Sequence, residues 1–313
     1  MSPKVIYIFG VGGIGGFIGS RMVQATIKNS NIKTYFIARG AHADAINKNG
    51  LTLETQTETN VTHPVLAATD LNDLPDPDLC ILCVKSYDLE GACKKLKSKV
   101  HQATVIIPVL NGVDIYERMR RTIDVGYILP GCVYMNSFVK APGTVTHVHN
   151  DLVIYGKDPQ FPDYIPSDII EFLNTIPNIR FQFKEDPYPA IWEKYMFVAA
   201  YALVTAYSAR TIRSVYENTE LRKYVTAILN EIRLIANRKG YVFSENIVEE
   251  LAVRGGRLPA DALTSYQRDL ALKDGRNEGD IFGETIIRMG KELKVPVPVT
   301  SKIYNEILVI NRK

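Results

Sequence analysis

The sequence predicts an α/β protein: a Rossmann-like, doubly wound parallel sheet followed by an all-helical second domain. Three observations predict it. An apolar run, Val5-Ile6-Tyr7-Ile8-Phe9, passes directly into Gly10-Val11-Gly12-Gly13-Ile14-Gly15. Short apolar runs then alternate with helical patterns through the first half of the chain. Beyond Asp186-Pro187-Tyr188-Pro189 strand signals largely vanish and long helical periodicities take over. The G-x-G-x-x-G sits where a dinucleotide-binding fold needs it. Gly10 allows the tight turn, Gly12 leaves room for a pyrophosphate, and Gly15 lets the next helix pack closely on the sheet. Gly13 is read with them as part of the cradle. The helix start adds unpaired N–H groups and the positive end of its dipole.

The elements follow in order. A helix is expected over 13–29, a strand over 33–38 and a second helix from Ala41. Runs at 79–84 and 104–109, rich in Val and Ile, suit strands buried on both faces, and each leads into a helical pattern. This alternation predicts a parallel sheet. Between 127 and 156 the strands become closely spaced, with Pro-Gly and Asn-Asp turns, and read as an antiparallel extension closing the domain. A helix near 163–175 and a strand near 180–183 complete it. The domains are therefore expected at 1–186 and 187–313, with a cleft between them. Leu221, Val225, Ile228, Ile232 and Ile235 recur at helical spacing in the second.

Composition narrows the function classes. At 313 residues the chain suits two domains, and 46% hydrophobic with 23% charged residues suits a soluble globular protein. The net charge of +3 is small, and the densest basic run, KKLKSK from Lys94 to Lys99, has no interleaved aromatics. Nucleic acid is therefore not expected as a partner. The longest apolar stretches are too short to cross a bilayer and no secretion signal is recognised, so a cytoplasmic protein is expected. Cys80, Cys83, Cys93 and Cys132 show no disulfide framework, as suits a reducing compartment. The Cys80–Cys83 pair lies in a strand, where residues three apart face opposite sides, so no redox pair is expected. His147 and His149 alternate on one strand face but lack a third metal ligand, so no metal is expected and both read as surface or turn-flanking residues. A homodimer is compatible with this reading.

Sites in such sheets lie beyond the carboxyl ends of the strands. Where NAD-binding versions carry an acid at the end of the second strand, this chain reads Phe36-Ile37-Ala38-Arg39-Gly40. Arg39 suits a 2′-phosphate through charge-assisted hydrogen bonds, so NADPH is the expected cofactor. Lys85 and Asn111 follow the next two strands and face cofactor or substrate.

In order and spacing, GVGGIG (10–15), IARG (37–40), CVKS (83–86), LNG (110–112), WEK (192–194), TSYQRD (264–269) and GRNE (275–278) resemble the ketopantoate reductase family over nearly the whole chain. The resemblance implies NADPH-dependent reduction of a 2-keto acid, namely 2-dehydropantoate to pantoate in pantothenate synthesis. Such a reaction leaves charge on the carbonyl oxygen, which needs a proton donor. The family's donor matches Lys194, whose apolar surroundings in MFVAAYALV would lower its pKa by desolvation. The resemblance further implies that Ser265 binds the substrate carboxylate with Asn111 alongside, that Asp269 supports, and that Glu278 holds a substrate hydroxyl and joins Lys194 as catalytic. Glu278 is one residue further from Ser265 than the family pattern, which leaves Asn277 as an alternative. The sequence also departs from the family at Val198 and Ala202, where asparagines are usual. Both share a helix face with Lys194, and Tyr201 and Thr205 are the nearby polar replacements. Two alternatives follow: a reductase of another, more apolar 2-keto acid, and a non-catalytic NADP(H) sensor. Lys194 argues against the second.

Overall fold

The computed structural model describes residues 3–272 and 275–311 and divides into two units, Met1–Pro187 and Tyr188–Lys313. The first unit opens with β1 (Val5–Phe9), α1 (Gly13–Thr26), β2 (Lys33–Ile37), α2 (Gly40–Asn49), β3 (Leu51–Glu54), β4 (Thr59–Thr62), β5 (Leu66–Ala68) and β6 (Leu79–Leu82). It continues with α3 (Leu89–Lys97), β7 (Val105–Pro108), α4 (Ile115–Arg120), β8 (Tyr127–Ile128), β9 (Gly131–Ala141), β10 (Thr144–Gly156), α5 (Ser167–Asn174) and β11 (Arg180–Lys184).

Six strands form one sheet in the order β5-β2-β1-β6-β7-β8, and every pairing is parallel. The chain builds outward from β1 in one direction, then crosses back and builds from β6 in the other. The reversal between β1 and β6 opens a crevice at their carboxyl ends, the place where such sheets bind ligands. Ile6, Tyr7 and Ile8 of β1 and all four residues of β6 are fully buried, which is why these strands read as continuous apolar runs.

A second sheet was not legible. The sequence reading makes 127–156 one antiparallel extension, but Tyr127–Ile128 pair in parallel with β7 as the sixth strand. The ladder breaks at Pro130, which has no N–H to donate. Only then does the β9–β10 hairpin begin. Along its other edge β10 pairs in parallel with β3 at residues 144–146 and with β11 at 152–156, while β3 and β4 form an antiparallel pair. β3, β4 and β5 have three or four residues each and lie where the sequence reading places no element. A register shift between His147 and His149 interrupts the alternation that would put both on one face. His147 instead stacks on Phe17 of α1, with ring centroids 4.2 Å apart. α1 ends at Thr26 rather than Asn29, where Thr26 Oγ1 donates to the Met22 carbonyl at 2.9 Å and the Asn29 N–H closes a turn.

The second unit is helical throughout its described residues. It comprises α6 (Tyr188–Ser208), α7 (Ile212–Glu217), α8 (Thr219–Arg238), α9 (Asn246–Gly256), α10 (Ser265–Ala271), a π-helix (Asp280–Glu284), α11 (Thr285–Leu293) and α12 (Pro298–Asn311). α6 is buried on nearly every side, with 199–204 fully inaccessible. A helix apolar all round becomes the core about which others pack. Here α7, α8, α9, α10, the π-helix and α12 all pack on it. Among the described residues no helix is long and apolar enough to cross a membrane. Buried Glu231 of α8 caps α12, accepting from the Val299 and Thr300 N–H groups at 2.8 and 3.0 Å.

In the first unit, His42 of α2 joins that helix to the β9–β10 turn. Its Nδ1 accepts from the Gly143 N–H at 3.0 Å, which requires an unprotonated nitrogen, and burial holds its pKa below the ordinary 6.5. The unfolded chain therefore takes up this proton first as pH falls, so the contribution is complete above about pH 6.5 and is lost below it. Thermal unfolding of the wild-type protein should shift downward between about pH 7 and 5 more than that of His42→Asn, whose amide oxygen accepts without titrating. Parallel pH curves for the two proteins would show that His42 is not the group responsible.

Candidate cofactor and catalytic site

The turn out of β1 is built by backbone. Gly10 has φ +92°, which only glycine adopts without strain, and its N–H donates to the Ile37 carbonyl of β2 at 3.0 Å. Gly12 caps α1 with no side-chain hydrogen bond, and the first turn of the helix carries no acid. A Cβ placed on Gly12 would meet nothing within 4 Å. The N-cap thus offers the first N–H groups of α1 no side-chain acceptor and leaves free the space beside Gly12, an arrangement that suits an anionic oxygen. These residues fit the pyrophosphate of a dinucleotide. Gly13 differs. A Cβ there would run into the Ser137 and Phe138 backbone of β9, and Ser137 Oγ lies 2.9 Å from the Gly13 carbonyl. The second sheet therefore demands this glycine whatever the loop binds. Gly15 is similarly constrained, because a Cβ would run into the Gly10 carbonyl.

Arg39 follows β2 with its side chain 65% exposed, and it is paired with Asp88, Nη2 to Oδ2 at 2.5 Å. Asp88 escaped the sequence reading, since no spacing rule links the end of β2 to the turn after β6. Lys85 opens that turn, Ser86–Asp88, and is half-buried. The turn is braced by its own Asp88 N–H on the Lys85 carbonyl at 3.0 Å and by Arg118 Nη2 on the Ser86 carbonyl at 3.2 Å. Asn111, also half-buried, follows β7 and precedes Gly112 at φ +122°. Gly10, Arg39, Lys85 and Asn111 thus lie beyond the carboxyl ends of four adjacent strands. Cys83 lies beside them, and burial pushes its thiol pKa up, away from the reactive thiolate. Among the described residues no cluster of three or more His, Cys, Asp or Glu could hold a metal.

In the second unit Lys194 of α6 is only 9% exposed and Glu278 only 2%. The Tyr195 hydroxyl donates to the Ile281 carbonyl at 2.5 Å, tying α6 to the π-helix that begins two residues after Glu278. The Phe282 N–H donates to the Glu278 carbonyl at 3.2 Å. Asn277 turns its side-chain oxygen to the Gly279 N–H at 3.0 Å. Tyr266 is buried nearby and its pKa is pushed up to about 12, by burial first and then by Asp280, Asp269 and Glu284. Ser265 is the first residue of α10 and half-buried; Asp269 is half-buried on the same helix. Thr264 and Gln267 form a reciprocal capping box, and Gln267 Nε2 donates to the Thr205 and Arg210 carbonyls at 3.2 and 3.0 Å. The T-x-x-Q pattern for that box was available in the sequence.

Two expectations are corrected here. Tyr201 points its hydroxyl at the Ala252 carbonyl of α9 at 2.5 Å, and Thr205 meets the Thr264 hydroxyl at 3.1 Å. Both are fully buried and engaged within the bundle, so neither replaces a missing asparagine. Ala202 is fully buried as well, whereas Val198 is half-exposed.

Residues 6–160 match the family model described as ketopantoate reductase PanE/ApbA, and residues 187–311 match that of its C-terminal domain. An uncharacterised oxidoreductase of Bacillus subtilis is 24% identical over 305 residues, covering 95% of each chain. The crystal structure of 2-dehydropantoate 2-reductase from Porphyromonas gingivalis superposes with a TM-score of 0.81 at 25% identity, covering 98% of this chain and 100% of that one. D-mandelate dehydrogenase, solved with NADH and anilino(oxo)acetate, shares the fold with a TM-score of 0.84 at 17% identity, covering 99% and 98%.

The glycines make separable predictions. Gly12→Ala should cost about 1 kcal/mol or less in stability while weakening nicotinamide dinucleotide binding about 10-fold or more, because the new methyl occupies the phosphate approach. Gly13→Ala should destabilise the first unit by about 1–3 kcal/mol through overpacking against β9. Denaturant titration and calorimetric binding measure the two effects. Unchanged dinucleotide affinity in Gly12→Ala would remove the loop from the candidate cofactor site.

Proposed function

The chain belongs to the ketopantoate reductase family, and on that premise we propose that it reduces 2-dehydropantoate to pantoate with NADPH, using Lys194 as the proton donor. The family's chemistry is keto acid reduction with a nicotinamide cofactor; when bound, the cofactor supplies a hydride to the ketone carbon. Gly10, Gly12, Gly13 and Gly15 hold the pyrophosphate on the start of α1. Arg39 takes the 2′-phosphate, and Lys85 and Asn111 line the same edge. The observation that carries the catalytic assignment is the burial of a cation, Lys194, and a carboxylate, Glu278, on segments joined by the Tyr195–Ile281 hydrogen bond. Buried charges are costly and are retained where they have partners or work to do.

Lys194 Nζ delivers its proton to the carbonyl oxygen as charge develops there, which both neutralises the oxyanion and gives the alcohol. Exclusion of water around α6 strengthens that interaction. Glu278 accepts from the substrate hydroxyl and Ser265 donates to the carboxylate. Val198 supports a second reading, in which the substrate is a 2-keto acid with a more apolar chain, since this half-exposed valine stands on the Lys194 face where the family usually carries an amide.

Oxidation of NADPH followed across a panel of 2-keto acids tests both readings. We expect 2-dehydropantoate to turn over, and Lys194→Ala to lower kcat by about 10²–10⁴-fold with NADPH affinity retained. A folded variant with most of its turnover would exclude the lysine as donor. The valine leaves one substrate polar group short of a partner, so Val198→Asn should lower the KM for 2-dehydropantoate, by about fivefold to a hundredfold. If 2-dehydropantoate is inert while a 2-keto acid without the hydroxyl turns over efficiently, the second reading replaces the first.

A further inference from the structure

In dinucleotide sites an acid at the end of the second strand reads a ribose 2′-hydroxyl, and an arginine nearby accommodates a 2′-phosphate. This chain brings both chemistries together in one ion pair. Arg39 comes from the end of β2 and Asp88 from the turn after β6, with Nη2 to Oδ2 at 2.5 Å and Nη1 to Oδ1 at 3.4 Å. The carboxylate is the better fixed partner. Its side chain is 27% exposed against 65% for Arg39, and its backbone N–H is held by the Lys85 carbonyl at 3.0 Å. Arg118 fastens the same turn through the Ser86 carbonyl and pairs with Glu90 at 2.9 Å. A group arriving at this corner therefore meets an acid on a hydrogen-bonded turn and a guanidinium already paired with it.

We propose that Asp88 is a specificity-determining residue, which narrows the preference for a 2′-phosphate by competing for Arg39 and by itself accepting from a 2′-hydroxyl. A 2′-phosphate must draw the guanidinium away from Asp88 or share it, and it brings a second negative charge next to a fixed one. A ribose hydroxyl meets neither obstacle, because the carboxylate accepts its hydrogen bond while Arg39 stays in place. The acid missing from the end of β2 is thus supplied from a different strand, and the site reads both nicotinamide dinucleotides with a smaller difference than Arg39 alone would give.

The inference rests on the dinucleotide reading of the glycine loop, and the test separates the two. Calorimetric dissociation constants are measured for adenosine 2′,5′-bisphosphate and 5′-AMP, which carry no nicotinamide, and for NADPH and NADH. In Asp88→Asn the affinity ratio of the bisphosphate to AMP should rise about tenfold, with NADPH to NADH moving in parallel. Because removing a negative charge favours every anion, the ratio is the informative quantity. In Arg39→Ala/Asp88→Asn the gain should disappear. Asp88→Ser provides the same readout should the asparagine variant fold poorly. An unchanged ratio in a variant that still binds overturns the role of Asp88 and leaves the glycine loop untouched. A wild-type protein that binds none of the four ligands overturns both.

Discussion

The loop between β1 and α1 is held in place by contacts with β2, β6 and β9, and the crevice edge of the first sheet depends on that arrangement. Gly10 hangs its N–H on β2, the Cys83 N–H anchors β6 to the last carbonyl of β1 at 2.7 Å, and Ser137 of β9 closes on the Gly13 carbonyl. Only the direction of Gly12 is left open. Because hydrogen bonds to neighbouring strands fix the loop, its backbone is ordered before any ligand arrives, and little order remains to be imposed on binding. The ends of β2 and β6, with Arg39, Lys85 and Asp88, inherit their placement from the same turn.

What the sequence made legible follows physical range. The glycine loop, the parallel alternation and the change to helices after Pro187 are local signals, and each corresponds to an observed element. The second sheet was hidden because several of its strands pair across long separations, because the alternation in LTLE of β3 lasts only four residues, and because TNVT of β4 has a single apolar residue. Asp88 was hidden for the same reason: its importance comes from a residue 49 positions away. The π-helix was also out of reach, since an i→i+5 turn leaves no distinct apolar period in five residues. The capping box at Thr264 lay in plain view.

The helical unit organises its polar residues by the same device as the sheet unit, with secondary structure locked by a few buried hydrogen bonds. Tyr195 joins α6 to the π-helix, the Thr264–Gln267 box joins α10 to the end of α6, and Glu231 fastens α12. The segments bearing Lys194, Ser265 and Glu278 are thereby all referenced to one buried helix. Tyr201 shows the limit of reading a helix face from spacing alone. Its hydroxyl was free to face a ligand by periodicity, but a neighbouring helix supplied a carbonyl and captured it.

The pairing of β10 with β3 has a consequence for how the chain comes into being. Thr52 and Thr144 are register partners, yet 144 − 52 = 92 residues separate them. At ribosomal rates of about 5–20 residues per second, β3 emerges roughly 5–20 s before its partner strand exists. Through that interval the β3 edge of the β3–β4 hairpin is open, while on its other strand Val61 stays exposed even in the finished fold. Nearby Glu54 and Glu58 give the nascent hairpin negative charge that discourages pairing with another copy. Only when β9 and β10 have been made can the second sheet close over α1. The order of synthesis thus places completion of the glycine loop's surroundings late in the life of the first unit.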